Sequence, residues 1–439
     1  MRNGRPPALI VVGLLIFGAT ACICGYWYWA NDLPEPGYSI PELPRPNGFT
    51  ELALAAQSLR VPDGILGPSG RISLDIPQEA LEQLLLLNEE PILRALRALK
   101  LPYHEPPSPD PRGRDEEFYV AYRNLARCFC ANGLIAADVG WYDTAALYAV
   151  AAMLLGARIP RGGNALAVAA AIGCHIDGYA GLEELAPRLS RSALERTLRA
   201  VWLIRSTWPT ESELLAQEAA FEHASLLEVC RRIRNGGLRQ LFWNSGGRRA
   251  ATPLWERLLT GFSRKRAILA AVDRYYARLR EQADRPWIER RLPPVPTLPI
   301  AGQRLSPYTH RAILWCLKEA QLAVLEIWLR ARLYQLRRGR LPSSLAELAA
   351  EGPPLPNDPF TGRPCGYLVI QGKLLVYSAG PDGVDNGGMP VSAIRLRPTS
   401  RGDLLFGQMY PPPAPARPSA PGPTMPSPAI PGEPLTPVR

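Results

Sequence analysis

Residues 116–158 read EEFYVAYRNLARCFCANGLIAADVGWYDTAALYAVAAMLLGAR. Apolar and small side chains recur there at three- and four-residue spacings, the period of helices that bury one face. The stretch predicts a helical pair, 116–138 and 142–158. Working outward, the same Ala/Leu pattern runs from about Phe49 to Arg291. Further helices are predicted over 165–186, 190–207 and 210–235, separated by Arg161-Gly162-Gly163, Pro187 and Pro209, since Gly and Pro punctuate helices. Another covers about 253–285, with Trp255, Leu258, Leu259 and Phe262, then Ile268, Val272, Tyr275 and Leu279 along one face. The fold class expected is mainly α. Residues 49–300 form an antiparallel helical array around an Ala/Leu core.

Gly140, Tyr142, Asp143, Ala145 and Tyr148 give the pair a resemblance to the second half of a tetratricopeptide unit, where small and aromatic residues let paired helices approach. No second copy occurs at an interval of about 34 residues, so the array is tetratricopeptide-like only in part. Composition agrees with folded units: 439 residues, 47% hydrophobic, and 8 Cys, too few for a disulfide scaffold. The net charge of +10 is local. Residues 231–291 hold 16 Lys/Arg and 5 Asp/Glu, so the rest of the chain sums to about −1. Trp243, Trp255, Tyr275 and Tyr276 fall in this stretch, as they would in a nucleic-acid or anionic-lipid surface. The arginines, however, take the polar face of an amphipathic helix, where solvation is the usual role. No nucleic-acid partner is expected.

Residues 8–30, ALIVVGLLIFGATACICGYWYWA, carry no charge. Twenty-three residues rise about 34 Å as a helix, enough for a hydrocarbon core of about 30 Å. Arg2 and Arg5 precede the run, Asp32 and Glu35 come after it, and Tyr26–Trp29 form an aromatic belt. The positive-inside rule then places the N-terminus in the cytoplasm and the bulk of the chain outside the inner membrane. A cleaved signal peptide has an apolar run of about 7–15 residues, and Ala19-Thr20-Ala21-Cys22 loosely matches a lipidation site. The run continues through Trp29, which favours an uncleaved transmembrane anchor over 1–30. Residues 31–48, with Pro34, Pro36, Pro41, Pro44 and Pro46, read as an extended linker. Residues 411–439 hold 12 prolines and read as a disordered tail.

Residues 301–410 have a different character. A long helix over 308–338 leads into RRGRLPSSLAELAAEGPPLPNDPFTGRPCGYLVIQGKLLVYSAGPDGVDNGG. Ser343 and Ser344 open a short helix. Tyr367–Ile370 and Leu374–Ser378 are predicted strands joined by Gln371-Gly372-Lys373, a hairpin. The steps Gly339-Arg340-Leu341-Pro342, Asp358-Pro359-Phe360-Thr361-Gly362-Arg363-Pro364 and Tyr377-Ser378-Ala379-Gly380-Pro381-Asp382-Gly383 make this region resemble the C-terminal domain of the type II secretion major pseudopilin (protein G) over roughly 320–406. The whole layout also resembles a group of membrane-anchored helical proteins abundant in planctomycete genomes. The resemblance implies a small α+β module with a short antiparallel sheet and a calcium loop. Asp382, Asp385, Asn386 and Asp403 are the matching ligands. Calcium takes about six to eight oxygens, and Arg395, Arg397 and Arg401 nearby oppose a dication. The other reading of the loop is a set of Asx turns. The pilin assembly helix is missing. Gly48-Phe49-Thr50-Glu51 spells a prepilin processing site, but Gln57, Arg60, Pro62 and Asp63 interrupt the long apolar helix that such a site requires.

No catalytic constellation emerges. His104, His175, His223 and His310 form no H-E-x-x-H pair and read as helix residues, and the cysteines lack zinc-ligand spacing. G-x-S-x-G, Walker A and G-x-G-x-x-G motifs are absent. The expectation is a non-catalytic envelope protein, an interaction scaffold with envelope protein partners and no small-molecule substrate. An accessory role in a type II secretion or pilus-like apparatus is the alternative, and an envelope enzyme with an unrecognised site is the third reading.

Overall fold

The computed structural model describes residues 8–31, 42–62, 64–67, 71–108, 110, 113–243, 265–298, 305, 307–391 and 396–406. Helices α1 (Ala8–Asn31), α2 (Phe49–Gln57), α3 (Gln78–Leu87), α4 (Glu89–Ala98), α5 (Glu116–Asp138), α6 (Tyr142–Arg158), α7 (Ala165–Leu185), α8 (Arg191–Thr207), α9 (Glu211–Trp243), α10 (Lys265–Ala283), α11 (Thr309–Arg338) and α12 (Leu345–Ala349) dominate it. Strands β1 (Gly366–Ile370), β2 (Lys373–Ser378) and β3 (Leu404–Leu405) complete a three-stranded antiparallel sheet in the order β1-β2-β3. The predicted linker lies mostly outside the described residues, and so do the tail, Trp255, Phe262 and Arg395.

The sequence codes the helix starts locally. Asp115, Asn164 and Ser190 each accept a hydrogen bond from a first-turn amide of α5, α7 and α8, which satisfies donors the helix cannot. Thr210 and Glu213 close a capping box at α9: Glu213 N donates to the Thr210 hydroxyl at 3.1 Å, and Thr210 N donates to the Glu213 carboxylate at 2.7 Å. Small residues then set how closely the helices pack. A Cβ at Gly156 would lie 2.5 Å from Ala171 O, and one at Gly178 would strike Ala149 O. The α6 and α7 backbones therefore touch at two glycines, and α5 packs on both helices.

One apolar cluster runs from Phe49 through α5–α8 and α11 to Val376 and Phe406. The array and the module thus share a core. Helix α11 is its axis: twenty of its 30 residues are buried, with α7 and α8 on one flank and β2 and β3 on another. A second cluster joins α9 and α10, and Tyr275 and Tyr276 are buried inside it. These two rings are core residues, which removes them from any stacking surface.

Three expectations shift. The hairpin loop is Gln371-Gly372 alone, with φ of 51° and 75°, because Lys373 pairs with Ile370. Both positive φ values fit a type I′ turn, whose twist matches the strands. Helix α9 continues past 235 to Trp243, and His104 lies in an extended segment and not on a helix.

Among the described residues, one helix, Ala165–Arg188, is long and apolar enough to cross a membrane by length and composition. In its most apolar window 56% is buried inside the protein, as suits α7, a core helix. Helix α1 is unbroken over 24 residues, with Val12, Leu15, Ile16, Phe17 and Ile23 exposed.

Candidate functional site

The D-P-F-T-G step builds the module from Asp358 outward. Its carboxylate accepts hydrogen bonds from Phe360 N (2.9 Å), the Ser378 hydroxyl (2.8 Å), Ala379 N (2.9 Å) and the Thr361 hydroxyl (3.3 Å). Burial pushes its pKa up, against those four bonds. The turn at 287–289 is latched alongside: Trp287 N and Ile288 N donate to Pro359 O and Phe360 O, and the Trp287 indole donates to Pro381 O at 3.0 Å. Asp358 is a hub of the fold.

Of the four residues expected to hold calcium, Asp382, Asp385 and Asn386 share one loop, and Asp403, just before β3, bonds to that loop. Asp382 accepts from Val384 N at 3.3 Å. Asp385 accepts from Gly387 N at 2.9 Å and from the Tyr377 hydroxyl at 3.0 Å. Asp403 accepts from Asn386 N at 3.2 Å and Gly388 N at 2.7 Å. The Asn386 amide donates to Val384 O at 2.8 Å. Gly387 and Gly388, at φ of 67° and 83°, turn their N–H groups onto these carboxylates. Burial, and more weakly the charge of Asp385, pushes Asp403 up. Every carboxylate is engaged by the loop's own donors. Among the described residues no three His, Cys, Asp or Glu side chains are grouped to hold a metal ion.

A buried polar axis runs along α11. The Lys318 ammonium is wholly buried, paired with Glu319, and lies 3.5 Å and 4.4 Å from the ring centres of Trp315 and Trp208. Burial pushes its pKa down against the attraction of Glu319. The Glu211 carboxylate accepts from Arg290 at 2.8 Å and the Tyr308 hydroxyl at 2.6 Å, and burial raises it. Arg205 reaches Glu326 at 2.6 Å, and Arg330 donates to Pro353 O at 2.8 Å. The axis ties α8, α9 and the module to α11. Lys318 is committed to Glu319 and two indoles.

A second polar centre joins the loop at 102–114 to α5. Glu105 is buried, bonded to the Tyr119 hydroxyl at 3.0 Å and paired with Arg114 at 3.1 Å. Burial raises its carboxyl to about 7, against both partners. Arg114 stacks on Phe118 and Phe49, with centroids 4.6 Å and 4.9 Å away. It also lines an open cavity of about 790 Å³ beside Asp115 and Asn124. A smaller cavity, about 480 Å³, runs along β1 between Leu341, Pro342, Tyr367 and Val369.

No protein-family model, curated protein or solved structure matches this chain. Sequence reasoning places His175 among helix residues and is silent on Glu105, Lys318 and Glu326. Their signal is weak, because a charged residue on a helix reads as solvated until the neighbouring helices are known. His223, also assigned to a helix, lies 2.8 Å from Asp273 and so brings α9 and α10 together. The described cysteine thiols are free, and the Cys230 side chain lies outside the described residues.

Proposed function

We propose that this chain is a non-catalytic, single-pass envelope protein: an anchored helical scaffold whose C-terminal, pseudopilin-like module docks a protein partner. The observation that carries the reading is the outer edge of β1. In the order β1-β2-β3, β1 is a terminal strand, Val369 and Ile370 on it are exposed, and the 480 Å³ cavity runs beside it. An exposed edge with apolar side chains is the template that extended peptides join by strand addition. The uncharged run at 8–30, with Arg2 and Arg5 before it, supports an inner-membrane anchor with a cytoplasmic N-terminus. In this reading the tetratricopeptide-like pairing of α5 and α6 gives the scaffold its stiffness, and the acidic loop organises itself through backbone bonds.

The test is a photo-crosslinker at position 370 of the full chain in native membranes. Crosslinks to a discrete envelope protein, lost when Val369→Glu is added, support the reading. Unchanged crosslinks with Val369→Glu, or none at all, defeat it. Recovery of a secretion ATPase or secretin would favour the apparatus alternative, which rests on the pseudopilin resemblance.

A further inference from the structure

Two arginines converge on one carboxylate between α5 and α7, and a third, Arg71, lies within electrostatic reach of it. Arg123 and Arg127 are one turn apart on α5, so both point to the same face. Arg123 Nη2 lies 2.8 Å from Asp177 Oδ2, and Arg127 Nε lies 3.4 Å from the same oxygen. Arg127 also donates to Ile72 O, and Ile72 N donates to Asn124 Oδ1 at 3.0 Å. The segment carrying Arg71 is therefore pinned to the same stretch of α5. Gly173 on α7 makes the room, since a Cβ there would collide with the Arg123 guanidinium. The side chains are largely enclosed: Arg123 is 11% exposed, Asp177 12% and Arg127 23%.

The charges do not balance. Asp177 is one anion against three cations, and Glu116 acts on Arg71 more weakly than Asp177 does. Burial, then Arg123 and Arg127, pushes the Arg71 pKa down. The Nε–H groups of Arg71 and Arg123 are buried and find no hydrogen-bond partner in the structure. An unpaired buried donor is costly, and more so on a charged group. Folded proteins keep such groups where something else meets them. Guanidinium forks suit the oxygens of a tetrahedral or planar anion, which accept two parallel N–H bonds.

We propose that Arg71, Arg123 and Arg127 form a binding site for a small oxyanion of the phosphate class, with Asp177 competing for the two α5 arginines. The site lies on the array, away from the β1 edge, and does not depend on the docking role.

Calorimetric titration of the full chain in detergent with inorganic phosphate, at ionic strength held constant with chloride, tests it. Saturable binding is expected, weakened about tenfold by Arg71→Gln, the loss of one charge-assisted bond. Asp177→Asn removes the competing anion and is expected to bind phosphate at least as tightly. A merely structural ion pair would not behave that way. Glycerol 3-phosphate separates two sources: equal competition assigns an esterified phosphate, and failure to compete assigns the free anion. No saturable heat overturns the site, as does unchanged affinity in Arg71→Gln. Lost binding in an Asp177→Asn protein that keeps its helical circular dichroism also overturns it.

Discussion

His175 stands midway along α7, wholly buried, with ring centroids of Tyr179 and Trp208 at 6.3 Å and 6.4 Å. Neither ring nitrogen has a hydrogen-bond partner in the structure. Burial, and then the Lys318 ammonium, push its pKa from 6.5 down to about 3. In the unfolded chain the imidazole takes its proton near pH 6.5; in the folded protein it resists until about pH 3. Between those values the unfolded state binds more protons. The contribution to stability is therefore complete above pH 6.5 and falls as pH drops towards 3. At pH 4 the deficit spans 2.5 pH units at about 1.36 kcal/mol each, or about 3 kcal/mol. Against a net stability of about 5–15 kcal/mol, that is a large share. Urea unfolding from pH 8 to pH 4, monitored by tryptophan fluorescence, measures it, with His175→Gln as the non-titrating reference. The wild type should lose about 3 kcal/mol more than the variant over that range. Parallel curves for the two proteins would refute the reasoning.

Glu105 pulls the other way. Its folded pKa of about 7 lies above the unfolded value of 4.5, so its contribution is complete below pH 4.5 and is lost as pH rises to 7, by about 3 kcal/mol in all. Glu105→Gln should abolish that decline, read from the same urea series, and an unchanged slope counts against the burial argument. Asp358→Ala strands the buried amides of Phe360 and Ala379 and should cost at least about 3 kcal/mol; a loss under about 1 kcal/mol would show that the hub is dispensable. Millimolar calcium should leave the melting temperature unchanged, since Asp385 and Asp403 already accept backbone donors. A rise that disappears in Asp385→Ala with Asp403→Ala would establish a metal site instead.

The helical array was legible because its information is local. Breaks at Arg161-Gly162-Gly163, Pro187 and Pro209 and unbroken Ala/Leu spacing put α5 to α8 within a residue of their observed bounds, and the structure adds caps at Asp115, Asn164 and Ser190. The β1–β2 hairpin was legible for the same reason. Strand β3 was not: two residues paired to Tyr377 and Ser378 have no periodicity of their own. The predicted end of α9 at 235 falls just before Gly236-Gly237, and the helix continues through both glycines to Trp243. The candidate site was legible only as a loop. Which oxygens of Asp382, Asp385 and Asp403 remain for a ligand depends on the φ of Gly387 and Gly388, and spacing alone cannot supply those angles.

The buried charges show where sequence reasoning meets its physical limit. A helix surface is judged from one chain segment, but burial is decided by what packs on it. Lys318, Glu326 and Arg330 lie on α11 at positions a period of 3.6 would accept as a polar stripe, and that stripe faces α8 and the loop at 348–353 instead of water. Removing one partner of a buried pair leaves the other charged and unsolvated, while an apolar replacement of both is often neutral. Such an axis therefore adds little net stability. It penalises any other seating of α11 on the array, because each alternative takes Arg205 from Glu326 and the Trp208 ring from Lys318. That penalty would hold the edge of β1 in a fixed orientation to the helices that carry it.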